Sequence, residues 1–311
     1  MKFKNIVILC SSLIFALSIL ITYQLQHAYQ PKTKPCIVCT TSIIADIVHN
    51  IGQDTIKIIS LMGPGVDPHL YKPVESDVLK IASADIIFYN GLHLEAKLAD
   101  LLEQLNQSQT TIAVTKDIPL AKLLTVDDYH QIFDPHVWFD IKLWIYAVNT
   151  TYKALIQKFP QHKKLYKKNT KKYIEQLRKL LLKTQKIMLT IPANKRIIIT
   201  GHDAFSYFGR LYNCNVIGLQ GISTESSPGA YDVQNIIQLI CDKNIPAIFI
   251  ETSIPIKNIL AVQEGVAAHG KHVNLGGELY SDALGPQGSC GQTYIDMILH
   301  NVETIVQSLK K

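Results

Sequence analysis

HKKLYKKNTKKYIEQLRKLLLKTQKIML, residues His162–Leu189, decides the fold. The segment holds no Gly or Pro. Tyr166, Tyr173, Leu180 and Ile187 recur every seven residues, Thr170, Leu177 and Thr184 fall between them, and lysines fill most of the other faces. That spacing lays one narrow stripe along a helix and predicts a single uninterrupted element. At about 1.5 Å per residue it reaches roughly 40 Å. A helix of that length is a stiff strut with a body at each end, and a poor hinge.

Outward from the strut in both directions, β-branched apolar runs alternate with helical patterns, the signature of parallel βαβ units. On the N-terminal side Cys36–Thr41, Thr55–Leu61, Ile86–Tyr89 and Thr111–Val114 read as strands, with helices over Ile43–Ile51 and Leu94–Leu105. On the C-terminal side the strands are Arg196–Thr200, Asn215–Gly218, Ala247–Ile250 and His272–Asn274. The helices there are Ala204–Tyr212, Val233–Asp242, Lys257–Ala268 and Thr293–Leu309. The halves share a layout without a direct sequence repeat. The expected fold class is therefore α/β: two doubly wound lobes with parallel sheets, residues 36–161 and 192–311, joined by one long backbone helix over 162–189.

A chain of 311 residues, 47% apolar and 18% charged, is long for a single core. Its formal net charge is +6, yet Lys158–Lys186 alone carries eleven Lys/Arg against one acid, Glu175, so the remainder is net acidic. Basicity confined to one stripe reads as a solvated helix face. No aromatic and basic docking motif accompanies it, which argues against a nucleic-acid partner.

Lys2 and Lys4 precede a nearly unbroken apolar run, Ile6–Tyr23, in the order of an export signal. Residues 1–28 are expected to be an export signal or an N-terminal anchor, which places the chain in the periplasm or another extracytoplasmic compartment. Ala28 suits cleavage, but Gln26 is bulky where a second small residue is preferred, and a run of about 18 residues reaches the lower limit for a membrane span. Cys10 lies inside the apolar run, a poor position for lipid attachment. Beyond it stand five cysteines, Cys36, Cys39, Cys214, Cys241 and Cys290, an odd number that leaves at least one unpaired within the chain. Cys36-Ile-Val-Cys39 has no second C-x-x-C to complete a zinc knuckle. In one strand its Cα atoms would be roughly 10 Å apart, beyond the approximately 7 Å that a disulfide can bridge.

Four histidines stand out among the eleven. His69 ends Gly63-Pro-Gly-Val-Asp-Pro-His69, a stiff loop directly after a predicted strand, where doubly wound sheets gather their ligands. His136 repeats the Asp-Pro-His tripeptide in Phe133-Asp134-Pro-His136, before a helical run. His202, in Thr200-Gly-His202-Asp, follows the first strand of the second half and can face the other two across a cleft. His93, in Asn90-Gly-Leu-His93, opens a helix and reads as structural. Asp282 follows the last strand, with Glu278 as the rival carboxylate. Three imidazoles and one carboxylate form a borderline donor set for Zn²⁺, Mn²⁺ or Fe²⁺. Neutral imidazoles are required, so affinity is expected to fall as pH drops through their ordinary range near 6.5.

These segments, in this order, resemble the TroA-like metal-binding solute receptors of bacterial ABC importers. The resemblance also rests on His202-Asp-Ala-Phe-Ser-Tyr-Phe-Gly209, Gly218–Thr224, Ala247–Pro255 and Gly276–Gly285, and covers almost the whole exported portion. It implies two lobes on a long backbone helix, one metal ion held by His69, His136, His202 and Asp282, and a monomeric receptor working with an importer permease and its ATPase. Manganese receptors of the streptococcal type have glutamate where His202 stands. Many zinc-specific relatives carry a His/Asp-rich loop where Leu124–Phe133 here holds only His130.

Two other classes compete. A metal-dependent hydrolase keeps an open position for water, whereas four protein ligands close it, and no His-Glu-x-x-His is present. A surface adhesin with a structural metal is the remaining alternative, and would unfold on chelation.

Overall fold

The computed structural model describes residues 34–98, 101–102, 110–126 and 129–310. The apolar run Ile6–Tyr23 and Cys10 lie outside the described residues. Among the described residues no helix is long and apolar enough to cross a membrane, and Cys36, Cys39, Cys214, Cys241 and Cys290 are all free.

The N-terminal half is built on a four-stranded parallel sheet of β1 (Cys36–Cys39), β2 (Lys57–Ser60), β3 (Ile86–Tyr89) and β4 (Thr111–Ala113), in the order β2-β1-β3-β4. Each strand carries apolar residues on both faces, as a sheet covered on both sides requires. Ile37 and Cys39 point into the large central core, while Val38 between them joins an outer cluster with Leu61, Met62, Ile81 and Ile87. Helix α1 (Ser42–Gly52) connects β1 to β2, capped by Thr41, whose side chain accepts from the Ile44 amide. Helix α2 (Glu75–Ala82) was not foreshadowed by the apolar pattern, nor was the antiparallel hairpin β5 (Thr125–Val126) with β6 (Tyr129–Phe133).

Of the helix expected over Leu94–Leu105, the described residues show a 3-10 turn at Ala96–Leu98 and a helical pair at 101–102. The reason lies just upstream. Gly91, Leu92 and His93 all have positive φ, and the buried Glu95 carboxylate turns back to accept from the Asn90 and Gly91 amides and from Thr40 Oγ1.

Helix α3 (Ile141–Lys158) leads through a 3-10 turn into the strut, α4 (Lys163–Met188), unbroken over 26 residues. Its buried stripe is Tyr166, Thr170, Tyr173, Leu177, Leu180 and Thr184, as the heptad spacing predicts; at the last turn Met188 is buried and Ile187 is only partly so. Tyr173 donates to Asp46 on α1 at 2.6 Å. Burial pushes the Asp46 carboxyl up to about 6, against the opposing pull of the Tyr173 hydroxyl. Asp46 therefore favours its neutral form in the fold, and its stabilising contribution fades as pH rises from about 4 through 6. Tyr173→Phe is expected to cost about 1 kcal/mol at pH 5, where a neutral bond is lost, and about 2–3 kcal/mol at pH 8, where an ionised carboxylate loses its donor. Urea unfolding at the two pH values checks this; a cost that is the same at both would contradict it.

The C-terminal half repeats the plan with β7 (Ile197–His202), α5 (Ser206–Tyr212), β8 (Asn215–Gln220), α6 (Ala230–Lys243), β9 (Ala247–Glu251), α7 (Lys257–Ala268), β10 (Asn274–Leu279) and α8 (Tyr294–Leu309). Strands pair in parallel as β7 with β8 and β9 with β10, with β7 running beside β9. Again the two faces divide: Ile198 and Phe249 enter the central core, Ile199 and Ile248 an outer cluster. Strand β10 begins later than its sequence suggests and runs on through Gly276-Gly277, with a register shift between Leu275 and Glu278. A Cβ at Gly276 would lie 2.7 Å from the Phe249 ring. Gly276 is there to let β10 pass Phe249, and the strand thereby reaches Leu279 and delivers Asp282.

The central core is common to both halves: Ile37, Trp138, Trp144, Tyr173, Phe205, Phe249 and Tyr294 belong to one cluster. Tyr207 OH donates to the Asp134 carbonyl at 2.9 Å, and Trp138 Nε1 donates to the Ser281 carbonyl at 2.9 Å. The halves are thus joined by more than the strut.

Candidate metal centre

In each half the strand C-termini face the other half, and the loops leaving them meet. His69 lies within the loop after β2, His136 lies just past β6, His202 is the last residue of β7, and Asp282 lies three residues beyond β10. Two Asp-Pro-His tripeptides make the same turn. Asp67 Oδ1 accepts from the His69 amide at 2.8 Å and Asp134 Oδ1 from the His136 amide at 2.9 Å, while each proline stiffens the residue between them.

The four side chains predicted from sequence come together: one ligand atom from each of His69, His136, His202 and Asp282 lies within 4.8 Å of the other three. All four are at most 3% exposed, so the cluster is out of bulk water. His69 Nε2 is 3.2 Å from His136 Nε2, and Asp282 lies 3.6 Å from His136 Nε2 and 3.4 Å from His202 Nε2. Ligand atoms placed tetrahedrally around Zn²⁺ at about 2.0–2.1 Å would be roughly 3.3 Å apart. His93 is an exposed turn residue with φ 63°, and Glu278 is exposed within β10; neither belongs to the cluster.

Two carboxylates outside the donor set orient it. Asp134 Oδ1 lies 2.7 Å from His136 Nδ1, and Glu251 Oε2 lies 2.7 Å from His202 Nδ1. A carboxylate at Nδ1 holds the proton there and leaves Nε2 with its lone pair aimed inward. Glu251 Oε1 also accepts from the His202 amide at 2.9 Å. A Cβ at Gly201 would come within 3.1 Å of that oxygen, so a glycine precedes His202. Asp282 Oδ2 accepts from Ser253 Oγ at 3.2 Å, while Asp282 Oδ1 and His202 Nε2 are buried without a hydrogen bond. An inward carboxylate oxygen facing inward ring nitrogens needs a cation between them, a proton on an imidazole before capture or a metal ion after it. The donor set therefore fits one divalent ion. A single carboxylate would leave the loaded cluster net positive; Asp134 and Glu251 supply the balancing charge one bond further out.

His69 and His202 are shifted in opposite directions. Burial drives His69 down to about 3, with His136 and His202 adding to the shift against the pull of Asp282. Burial also opposes protonation of His202, but Glu251 and Asp282 overcome it and hold that imidazole well above its ordinary value. Asp282 is held below the usual carboxylate range: burial pushes it up, and His202, followed by the other two imidazoles, prevails. To the fall near pH 6.5 expected from sequence these two shifts add opposite contributions, one from a lowered His69 and one from a raised His202. That shift favours the protonated form of His202 before capture, and the proton must leave when metal binds. Affinity then rises with pH until the raised His202 value is passed, whereas His69 contributes no dependence above pH about 4. We expect Zn²⁺ binding at pH 7 to release about one proton. Calorimetry in buffers of different ionisation enthalpy measures this, and a release near zero would contradict it.

Sequence reasoning missed Asp134 and Glu251 as partners of the imidazoles. For Asp134 a signal exists in the Asp-Pro-His spacing. For Glu251 it is a carboxylate closing the apolar run Ala247-Ile-Phe-Ile at a strand's ligand end.

Comparisons with known proteins place the chain among metal-binding relatives. The chain is 43% identical over 290 residues to the zinc-binding protein TroA of Treponema pallidum, covering 92% of this chain and 94% of that one. It is 46% identical over 274 residues to the manganese-binding lipoprotein MntA of Bacillus subtilis, covering 88% and 89%. The solved structure of periplasmic zinc-binding TroA from Treponema pallidum superposes with a TM-score of 0.87 at 44% identity, covering 89% of this chain and 99% of that one. The names of these relatives speak of zinc and manganese; iron, which the donor set alone leaves open, gains no support from them. Residues 37–308 match the family model of the periplasmic zinc-uptake complex component A, ZnuA, and the chain belongs to that family.

Proposed function

We propose that this chain is an extracytoplasmic receptor that takes one Zn²⁺ or Mn²⁺ ion between two lobes and passes it to an ABC importer. His69 and His136, from the lobe spanning 36–161, and His202 and Asp282, from the lobe spanning 192–311, are its ligands, with the helix over 162–189 as strut. Residues 1–28 direct export, as a cleaved signal or a retained anchor. The importer's permease and ATPase are the partners, and the receptor works as a monomer.

The observation that carries this reading is the convergence of four buried donor atoms from both halves, two of the imidazoles backed by a carboxylate. Such a site holds an ion without leaving a position for a reacting water. Selectivity between Zn²⁺ and Mn²⁺ must come from geometry and supply, since affinity order alone favours Zn²⁺. Delivery requires the lobes to part. Besides the Tyr207–Asp134 and Trp138–Ser281 hydrogen bonds, polar contacts between the lobes include Thr224 Oγ1 to Asp67 Oδ2 at 2.6 Å and Lys97 Nζ to Glu225 Oε1 at 2.5 Å. The last is largely exposed and therefore cheap to break.

The test is competitive loading of the full chain with Zn²⁺, Mn²⁺ and Fe²⁺, followed by elemental analysis and chelation. One Zn or Mn per chain is expected, lost on chelation while the far-UV circular dichroism persists. Unfolding on chelation would instead mark a structural metal and reject a releasing receptor.

A further inference from the structure

We propose that the first half of α4 is a docking face for an anionic phospholipid surface. Lys163, Lys164, Lys167, Lys168, Lys171 and Lys172 are all exposed on its first three turns. A helix N-terminus carries the positive end of the backbone dipole and is normally served by acids, yet the first turn here has none. The six lysines also stack like charge four residues apart in two rows, 163/167/171 and 164/168/172, which destabilises an isolated helix. Among the described residues no carboxylate pairs with any of the six; the ion pair on α4 joins Lys179 to Glu175 in its second half. The second half, by contrast, sets Glu175 and Gln176 among its basic residues. Charge of one sign, concentrated against local helix stability, matches a partner of the opposite sign.

The position of these lysines identifies the partner. Tyr166 OH on the first turn of α4 is 2.9 Å from Thr55 Oγ1, and Asn169 donates to the Ile51 carbonyl at 2.9 Å. Two residues on, the Lys57 amide donates to the Pro35 carbonyl at 2.8 Å, where β1 begins. The lysine face therefore lies at the pole of the N-terminal lobe where the chain enters from its N-terminal segment, opposite the strand ends that form the metal cluster. Lys57 and Lys158 are exposed at the same pole, with Asp54 as an exposed acid. In sequence the apolar run Ile6–Tyr23 precedes Lys34 by about ten residues. On the extracytoplasmic reading above, on which this inference rests, anionic membrane headgroups are the polyanion such a receptor meets, and they attract basic residues that come within about a Debye length.

The test uses the full chain on vesicles containing phosphatidylglycerol or phosphatidylcholine alone, with acetylation of each lysine followed by mass spectrometry. On the anionic vesicles the six lysines should react about fivefold more slowly than on the neutral ones. The difference should vanish at about 0.5 M salt, and Lys243 and Lys257 in the C-terminal lobe should be unaffected. Equal rates on both vesicles, protection that resists salt, or protection spread over all lysines would each overturn it. Metal content measured on the same samples separates the two readings: one ion per chain with unprotected lysines sinks only the docking face, whereas absent metal sinks the receptor.

Discussion

Asp282→Asn is expected to weaken Zn²⁺ and Mn²⁺ binding by about a hundredfold or more, the secondary structure staying intact. The lower bound follows from comparison: partners one shell further out are typically worth about 10- to 100-fold in metal affinity, and a charged ligand is worth more. Asp282 brings the one formal negative charge to a donor set of otherwise neutral imidazoles, and its Oδ1 has no hydrogen bond to occupy it. The amide matches the carboxylate in size but carries no charge, and can present an NH₂ to the ion. It also removes one of the two groups that hold His202 protonated before capture. Proton release on binding should therefore fall along with affinity. Calorimetric titration of parent and variant reads both quantities. Unchanged affinity for both ions would remove Asp282 from the ligand set.

The four donors were legible in the sequence because each sits where chain chemistry betrays a strand end. Gly63-Pro-Gly and the two Asp-Pro-His tripeptides are stiff, polar and sharply bounded, and Thr200-Gly-His202 closes an apolar run. The strut was legible because heptad spacing over a segment free of Gly and Pro has few other solutions. What escaped notice depended on contacts distant in sequence. Glu251 matters only because β9 lies beside β7, which brings its carboxylate to an imidazole 49 positions earlier. The need for Gly276 shows only once the Phe249 ring that β10 must pass is in place. The helix drawn over Leu94–Leu105 gave way at its start, because Glu95 spends its carboxylate on amides behind it and on Thr40, 55 positions away. Local pattern located the ends of elements; packing partners decided what happened between them.

Those same partners make Glu251→Gln the second large effect. Both carboxylate oxygens of Glu251 face donors: Oε1 accepts from the His202 amide at 2.9 Å, and Oε2 lies 2.7 Å from His202 Nδ1. An amide offers one acceptor oxygen and one NH₂, so in either orientation one of those two donors meets another donor. If the NH₂ faces Nδ1, the imidazole loses the partner that keeps its Nε2 lone pair on the metal. If it faces the backbone, the end of β7 is pushed away from β9. Either outcome should lower Zn²⁺ affinity by about 10- to 100-fold. The pH dependence separates this from simple damage to the fold. Glu251 leads the interactions that raise His202 against its burial, so the uncharged variant should hold the His202 proton less tightly. Its affinity should then vary less with pH between about 6 and 8, and Zn²⁺ binding at pH 7 should release less than the parent's roughly one proton. A variant that loses affinity by the expected factor but keeps the parent's proton release would show that Glu251 merely props the strand. One that keeps both would remove Glu251 from the centre altogether.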